Sequence, residues 1–195
     1  HVIASVGPTG KMLVMGDVTE QELLEAFREQ LVALEKGGAD ACCIETMLAL
    51  DEAKLAIQAA RESTRLEIIC TFTFSRTISG EYRTLMGVSP EDMARGLKEA
   101  GADILGANCG LGFAQMVDVV KALRCAAGKT PILVHANAGM PHQVDGKDVF
   151  PETPAMAADL TPALLSAGAD IIGGCCGTTP DHIAAIARVV KGLQR

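Results

Sequence analysis

Residues 101–110 have the sequence GADILGANCG, in which Gly-Ala-Asp leads into an apolar run and then into polar residues. Gly-Ala-Asp recurs at 38–40 and at 168–170. Each time, an amphipathic helical pattern stops at glycine, and the pattern of a buried strand follows within a few residues. Repeats of this kind indicate βα units joined by short turns, and therefore a parallel sheet covered by helices.

Working outward from these repeats, the sequence predicts six strands, each followed by a crossover to the next. The predicted strands are 1–6, 40–45, 67–72, 103–108, 131–136 and 170–175, and the predicted helices are 19–36, 50–64, 89–100, 113–126, 153–167 and 179–193. Two longer irregular stretches, 73–88 and 137–152, are predicted to be loops over a functional site. We expect one α/β domain over residues 1–195.

Polar and glycine-rich segments follow nearly every predicted strand. A doubly wound open sheet and a (β/α)8 barrel both accommodate the alternation of strands and helices. In an open sheet one crevice dominates, whereas in a barrel the loops after all strands contribute to the site. The pattern therefore favours an α/β fold of the (β/α)8, or TIM-barrel, type.

The composition excludes several classes of function. The 195 residues carry a formal net charge of −7, so there is no basic face for nucleic acid. No apolar run reaches the roughly 18 residues that a membrane span needs, and no signal peptide is recognisable, so a cytoplasmic location is expected. The chain begins with His1 inside a strand pattern, which suggests a processed, truncated or split protein.

The seven cysteines are an odd number without the spacing of a secreted disulfide framework. In a reducing compartment such cysteines are metal ligands, nucleophiles or small buried residues. The adjacent pair Cys42-Cys43 lies inside a strand pattern without glycines, and we expect this pair and Cys70 to be packing residues. Cys125 falls on a predicted helix and is assigned no role.

Three other cysteines follow predicted strands and should therefore meet at one edge of the sheet. These are Cys109, Cys175 and Cys176. Zinc binds thiolates at about 2.3 Å in tetrahedral geometry, and catalytic sites keep one position open for substrate. Neighbouring residues can share an ion only where the backbone turns, which Gly173-Gly174 and Gly177 would permit. The alternative is that Cys175 and Cys176 are small residues at a crowded turn.

The motif GGCCGTTPDHI (173–183) resembles the signature of the homocysteine S-methyltransferase family, and GANCG (106–110) resembles its other cysteine segment. SVGPTG (5–10), IET (44–46) and NAG (137–139) occur in matching order. That family includes the homocysteine-binding barrel of cobalamin-dependent methionine synthase and betaine–homocysteine methyltransferase. The resemblance covers the whole chain.

The resemblance implies a zinc-dependent methyltransferase in which Cys109, Cys175 and Cys176 bind Zn²⁺. Homocysteine would add its sulfur as the next ligand and attack an activated methyl group, giving methionine. The donor could be a corrinoid such as methylcobalamin on a partner, a betaine or a methylsulfonium compound.

The same resemblance suggests substrate-binding residues. Glu45 matches a residue that holds the amino group of the substrate, and a carboxylate suits an ammonium; a capping or surface acid is the alternative. Asn108 and Asn137 would orient ligands or fill the open zinc position, unless they are turn residues. His135 is expected to be a core histidine rather than a ligand.

The chain departs from the family at its start, because the Asp-Gly strand and the strand bearing Thr-Asn-Thr are missing. The chain would thus supply strands 3–8 of the family barrel, an N-terminally incomplete portion of six units. We expect a homo-oligomer or a separate N-terminal segment to complete it. Two alternatives stay open: methyl transfer between a small substrate and a corrinoid protein, and a non-catalytic zinc-binding scaffold.

Overall fold

The computed structural model describes residues 1–193 and contains six parallel strands, curved into a half-barrel, with helices on the outer face. The six strands are β1 (Ile3–Val6), β2 (Ala41–Met47), β3 (Glu67–Phe72), β6 (Ile104–Gly112), β7 (Ile132–Asn137) and β10 (Ile171–Gly174), and they are ordered β1-β2-β3-β6-β7-β10. The helices are α1 (Glu20–Lys36), α2 (Leu50–Ser63), α3 (Pro90–Ala100), α4 (Phe113–Ala127), α5 (Pro154–Ala167) and α6 (Pro180–Leu193). The predicted barrel-type α/β architecture is confirmed.

Capping residues set several helix starts where the sequence predicts them. Thr19 and Glu22 form a reciprocal capping box at α1, and Ser89 accepts the backbone N–H of Asp92 at α3. Helix α2 begins after Ala49, whose side chain makes no capping hydrogen bond. No helix among residues 1–193 has both the length and the apolar character needed to cross a membrane.

The two long loops carry short hairpins that the sequence pattern did not reveal. In the first, β4 (Ser75–Arg76) pairs with β5 (Tyr82–Arg83), and in the second, β8 (His142–Val144) pairs with β9 (Lys147–Val149). Each hairpin follows a strand of the half-barrel. The predicted loops are therefore partly ordered antiparallel structure.

The main core lies between the sheet and the helices. One row of side chains, in register across five strands, faces the helices and is fully buried: Val6, Ile44, Cys70, Leu105 and Ile132. A smaller apolar cluster lies on the inward face and includes Cys43, Ile69 and Leu133. Because side chains alternate along a strand, Cys42 packs toward the helices and Cys43 packs inward. Both are buried, as is Cys70, in agreement with their prediction as packing residues.

The aspartates of the Gly-Ala-Asp repeats hold the amino ends of neighbouring strands. Asp40, Asp103 and Asp170 each accept a backbone N–H from the adjacent strand or its leading residue. The donors are Val2, Ile68 and Ile132, at 2.7, 2.8 and 2.8 Å. The repeat thus satisfies a strand-end donor that has no partner within the sheet.

Two arginines reinforce this arrangement from the helices. Arg61 of α2 contacts Asp103, and Arg124 of α4 bonds Asp170 at 2.5 Å. Each guanidinium also donates to the carbonyl of the glycine that ends the next helix in the chain. The helix layer is therefore anchored to the amino ends of the strands.

The inward face of the half-barrel is exposed along its two edge strands. Among residues 1–193, β1 and β10 each have one edge without a strand partner. Ile3 and Ile171, which lie on the inward face of these two strands, are 48% and 38% exposed. Apolar side chains are therefore left uncovered along both edges.

The buried thiols should make the fold sensitive to alkali. Burial raises the pKa of Cys42 to about 11 and that of Cys43 to about 12, against an ordinary value of 9.0. Above pH 9.0 the unfolded chain loses these protons while the folded chain keeps them, so the free energy of unfolding should fall as the pH rises. The expected slope is about 1.4 kcal/mol per pH unit for each such thiol.

Urea unfolding at a series of pH values measures this slope. Cys43→Ala should reduce the slope by the contribution of one thiol, whereas Cys125→Ala, at an exposed position, should leave it unchanged. Equal slopes for the parent and the Cys43→Ala protein would contradict this account.

Candidate metal centre

The structure brings Cys109, Cys175 and Cys176 together at the carboxyl edge of the sheet. The Sγ atoms of Cys109 and Cys176 are 3.7 Å apart, those of Cys175 and Cys176 are 3.9 Å apart, and all three lie within 4.8 Å of one another. Tetrahedral thiolates at about 2.3 Å from one zinc ion would be separated by roughly 3.8 Å. The cluster therefore has the spacing to hold a metal ion.

The backbone of β6 changes direction at Cys109. Cys109 has a φ of 60°, in the left-handed region that few residues other than glycine adopt, and the pairing of β6 with β7 shifts register between Asn108 and Gly112. The hydroxyl of Thr73 donates to the carbonyl oxygen of Asn108 at 2.6 Å and holds this bend. The Cys109 side chain consequently departs from strand alternation.

The adjacent pair lies in a turn held by backbone hydrogen bonds. The N–H of Cys175 donates to the carbonyl of Ala136 at 2.7 Å, and that of Cys176 donates to Oδ1 of Asn137 at 3.1 Å. Both the N–H and the hydroxyl of Thr178 donate to the carbonyl of Cys175. These bonds fix two neighbouring thiols on the same side of the chain.

The glycines around Cys175 and Cys176 do not all serve to let the backbone turn, as the sequence suggested. Only Gly177 has a left-handed conformation, with a φ of 78°. Gly173 and Gly174 are strand residues of β10, and what matters there is their size. A Cβ on Gly173 would lie 2.6 Å from the ring of His135, and one on Gly174 would collide with Thr178.

Desolvation and mutual proximity keep two of the thiols protonated without a metal. Burial, followed by the neighbouring Cys109 and Cys176 thiols, raises the pKa of Cys175 to about 12. Burial and contact with Cys109 also raise the pKa of Cys176. A divalent cation reverses this balance because it stabilises thiolates directly.

Glu45 lies on the inward wall near the carboxyl end of β2. It is half-buried and accepts a hydrogen bond from the hydroxyl of Ser5 on β1. His135 of β7 is also half-buried on this wall. Burial lowers the pKa of its imidazole, and the nearby carboxylate of Glu45 offsets part of this effect. His135 is not part of the thiol cluster.

The two asparagines occupy different places. Asn137 is buried at the end of β7 and accepts the backbone N–H of Cys176, so it touches the turn that carries the cysteine pair. Asn108 is fully buried beneath the thiols, and its amide bonds Thr46 and Thr71. Both side chains therefore adjoin the cluster.

Sequence reasoning missed a bridge between the two cysteine-bearing segments. A carboxylate oxygen of Glu152 accepts the N–H of Phe113 at the start of α4, 3.0 Å away, and its backbone carbonyl accepts Nε2–H of His182 at 2.9 Å. Nδ1 of His182 accepts the N–H of Thr179 at the start of α6. His182 belongs to the TTPDH motif, but nothing in the sequence around Glu152 indicated its partners.

A sequence profile of the family described as homocysteine S-methyltransferase matches residues 1–190 of the chain. The chain is 29% identical over 197 aligned positions to methionine synthase of Mycobacterium tuberculosis (strain ATCC 25618 / H37Rv). It is 30% identical over 192 positions to methionine synthase of Mycobacterium leprae (strain TN). The alignments cover 100% and 97% of this chain, but only 16% of each methionine synthase.

Solved structures of the homocysteine methyltransferase MmuM from Escherichia coli are similar in fold. The apo form gives a TM-score of 0.75 at 24% identity, covering 96% of this chain and 62% of that one. The metallated form gives a TM-score of 0.68 at 28% identity, covering 96% and 61%. The chain therefore spans less than two thirds of these enzymes.

Proposed function

The chain belongs to the homocysteine S-methyltransferase family, and we propose that it forms the metal-binding part of a zinc-dependent methyltransferase that methylates homocysteine to methionine. The observation that carries this proposal is the cluster of Cys109, Cys175 and Cys176, with sulfur separations of 3.7 and 3.9 Å for two of its pairs. These values match the edge of a tetrahedral thiolate site, roughly 3.8 Å.

Zinc is the metal that this donor set favours, because soft thiolates in tetrahedral arrangement suit Zn²⁺ better than Mg²⁺ or Ca²⁺. Bound there, it would hold the substrate thiol as a nucleophilic thiolate at neutral pH. With Cys109, Cys175 and Cys176 as its ligands, the ion would keep one position free for that sulfur. A reducing, cytoplasmic location would keep the three thiols available.

The remaining site residues suit an amino-acid thiol. The carboxylate of Glu45, on the inward wall, provides a partner for the substrate ammonium group, and Ser5 fixes its orientation. Asn137 accepts the backbone N–H of Cys176 and so adjoins the cluster. In the transfer, the thiol proton leaves to solvent, the sulfur forms a bond to the methyl carbon, and the bond between that methyl and its donor breaks with its electrons staying on the donor.

We propose that a separate domain or protein carries the methyl donor, and that this donor is a corrinoid. The similarity to methionine synthases, of which the chain covers 16%, supports this choice.

The unpaired edges of β1 and β10 among residues 1–193 favour a second candidate function. In it, the chain is a metal-binding portion that is inactive until two further strands pair with these edges. Those strands would come from another segment or a second copy, and residues 1–195 would form one incomplete barrel domain.

Zinc should bind at about one equivalent per chain or per completed barrel, since residues 1–193 contain one cluster of three thiols. Cys109→Ser, Cys175→Ser and Cys176→Ser should each abolish stoichiometric binding, because two thiolates hold zinc far more weakly than three. Metal analysis after dialysis measures the content. Cys43→Ala and Cys125→Ser are matched controls outside the cluster and should retain zinc; full retention by the Cys175→Ser protein would overturn the assignment.

Homocysteine should raise the number of sulfur neighbours of zinc from three to four and release a proton, because ligation requires the thiolate. X-ray absorption and proton release in weakly buffered solution measure these changes. If the number of sulfur neighbours stays at three at saturating homocysteine, the second candidate is favoured, in which the chain is inactive until further strands complete the barrel.

Glu45→Gln should weaken homocysteine binding more than zinc binding, whereas Glu67→Gln, exposed at the opposite end of β3, should affect neither.

The polypeptide of residues 1–195 should self-associate, because the edges of β1 and β10 expose Ile3 and Ile171. Light scattering over a concentration series should show dimers or larger species. Ile3→Lys and Ile171→Lys should reduce association, since a charge on the inward face opposes burial there, while Met156→Lys on α5 should not. A compact monomer that unfolds cooperatively and binds homocysteine tightly would contradict this expectation.

A further inference from the structure

The side chain of Asn108 links four strand ends directly beneath the thiols. Its Oδ1 accepts the backbone N–H of Thr46 on β2 at 2.8 Å and the hydroxyl of Thr71 on β3 at 2.6 Å. Its Nδ2 donates to the hydroxyl of Thr46 at 2.8 Å and lies 4.0 Å from Sγ of Cys175, just after β10. The amide thus extends from β6 across the half-barrel.

These four contacts use the whole hydrogen-bonding capacity of the amide. An asparagine side chain has two acceptor positions on oxygen and two N–H donors. In Asn108 both acceptor positions and one donor are satisfied within the protein, and the remaining N–H faces a cysteine sulfur. The side chain is fully buried, so it has no free group to offer a substrate.

The contacts also hold backbone that is unfavourable on its own. Thr46 has a φ of 63°, which is rare for a β-branched residue, and the pairing of β2 with β3 is irregular between Ile44 and Met47. Asn108 binds both the backbone N–H and the hydroxyl of Thr46, and so fixes this conformation. The residue after Asn108 is Cys109, whose own φ is 60°.

We propose that Asn108 is a positioning residue that orients two of the three thiols toward a bound metal. It acts on Cys175 through an N–H···S contact and on Cys109 through the fixed backbone at the end of β6. This inference rests on the proposed zinc site and replaces a substrate-binding role for Asn108.

The test compares Asn108→Ala with Thr71→Val. The first removes all four contacts of the amide, whereas the second removes only the Thr71 hydroxyl and leaves the donor toward Cys175 in place. Zinc affinity is measured by competition with a chromophoric chelator, and the metal environment by the sulfur-to-cobalt charge-transfer bands of the Co²⁺-loaded protein. Urea unfolding reports the stability of each variant separately.

The positioning role predicts a loss of zinc affinity of about 10- to 100-fold in Asn108→Ala, with altered charge-transfer bands. Thr71→Val should lower stability but keep zinc affinity and the bands of the parent. Asn108→Ser, which retains a small polar side chain but cannot reach Cys175, is the second variant and should behave like Asn108→Ala. Circular dichroism confirms that the variants compared are folded.

Two results would overturn the inference. Unchanged zinc affinity and unchanged bands in the folded Asn108 variants would make Asn108 a purely structural residue, while the proposed function would stand. Equal losses of affinity in Thr71→Val and Asn108→Ala would assign the effect to general stability. Failure of the parent chain to bind zinc or Co²⁺ would overturn the proposed function itself, and the inference with it.

Discussion

The six strands of the half-barrel all run in the same direction, and this constraint determines where the three clustered cysteines lie. Because the chain returns through a helix after each strand, the carboxyl ends of all strands meet at one edge. Cys109 and the pair at 175–176 are separated by more than sixty positions in the sequence, yet their sulfur atoms approach to 3.7 Å at that edge. The opposite edge carries Asp40, Asp103 and Asp170, which bond the amino ends of neighbouring strands. One edge thus maintains the sheet, and the other is available for chemistry.

The same residue type has two different roles because its surroundings differ. Cys42, Cys43 and Cys70 are buried inside strands, and desolvation is the main cause of their raised pKa values. At Cys175 the neighbouring thiols add to desolvation, since three potential negative charges lie within a few ångströms. A cation placed among these three sulfur atoms, which all lie within 4.8 Å of one another, would remove that penalty. The spacing of the cluster, rather than the number of cysteines, distinguishes it.

The sequence predicted the order of the elements and the meeting of the three cysteines, because both follow from local patterns. The Gly-Ala-Asp repeats mark helix ends and strand starts, and Thr19 and Ser89 mark helix starts. The sequence could not predict the contacts of Asn108 with Thr46 and Thr71, because these depend on register shifts between strands that are far apart in the chain. The bridge from Glu152 to His182 spans thirty residues without a local pattern, and the hairpins lie in stretches with no periodicity. The glycines before Cys175 were recognised, but their importance lies in the room they leave for His135 and Thr178.

Backbone strain in this chain is concentrated where the thiols are held. Three non-glycine residues among positions 1–193 have a positive φ: Thr46, Cys109 and Asp145. Asp145 precedes Gly146 in the turn between β8 and β9, where this conformation is usual. Thr46 and Cys109 have no such turn to explain them, and residues held in this region cost of order 1–3 kcal/mol each. Their strain is offset by the buried amide of Asn108 and the well-packed strands around it, so the cost is met when the chain folds. A metal ion bound there, as proposed, would meet thiols whose spacing is already close to that of a tetrahedral site, and less of its binding free energy would be lost in reorganising the protein.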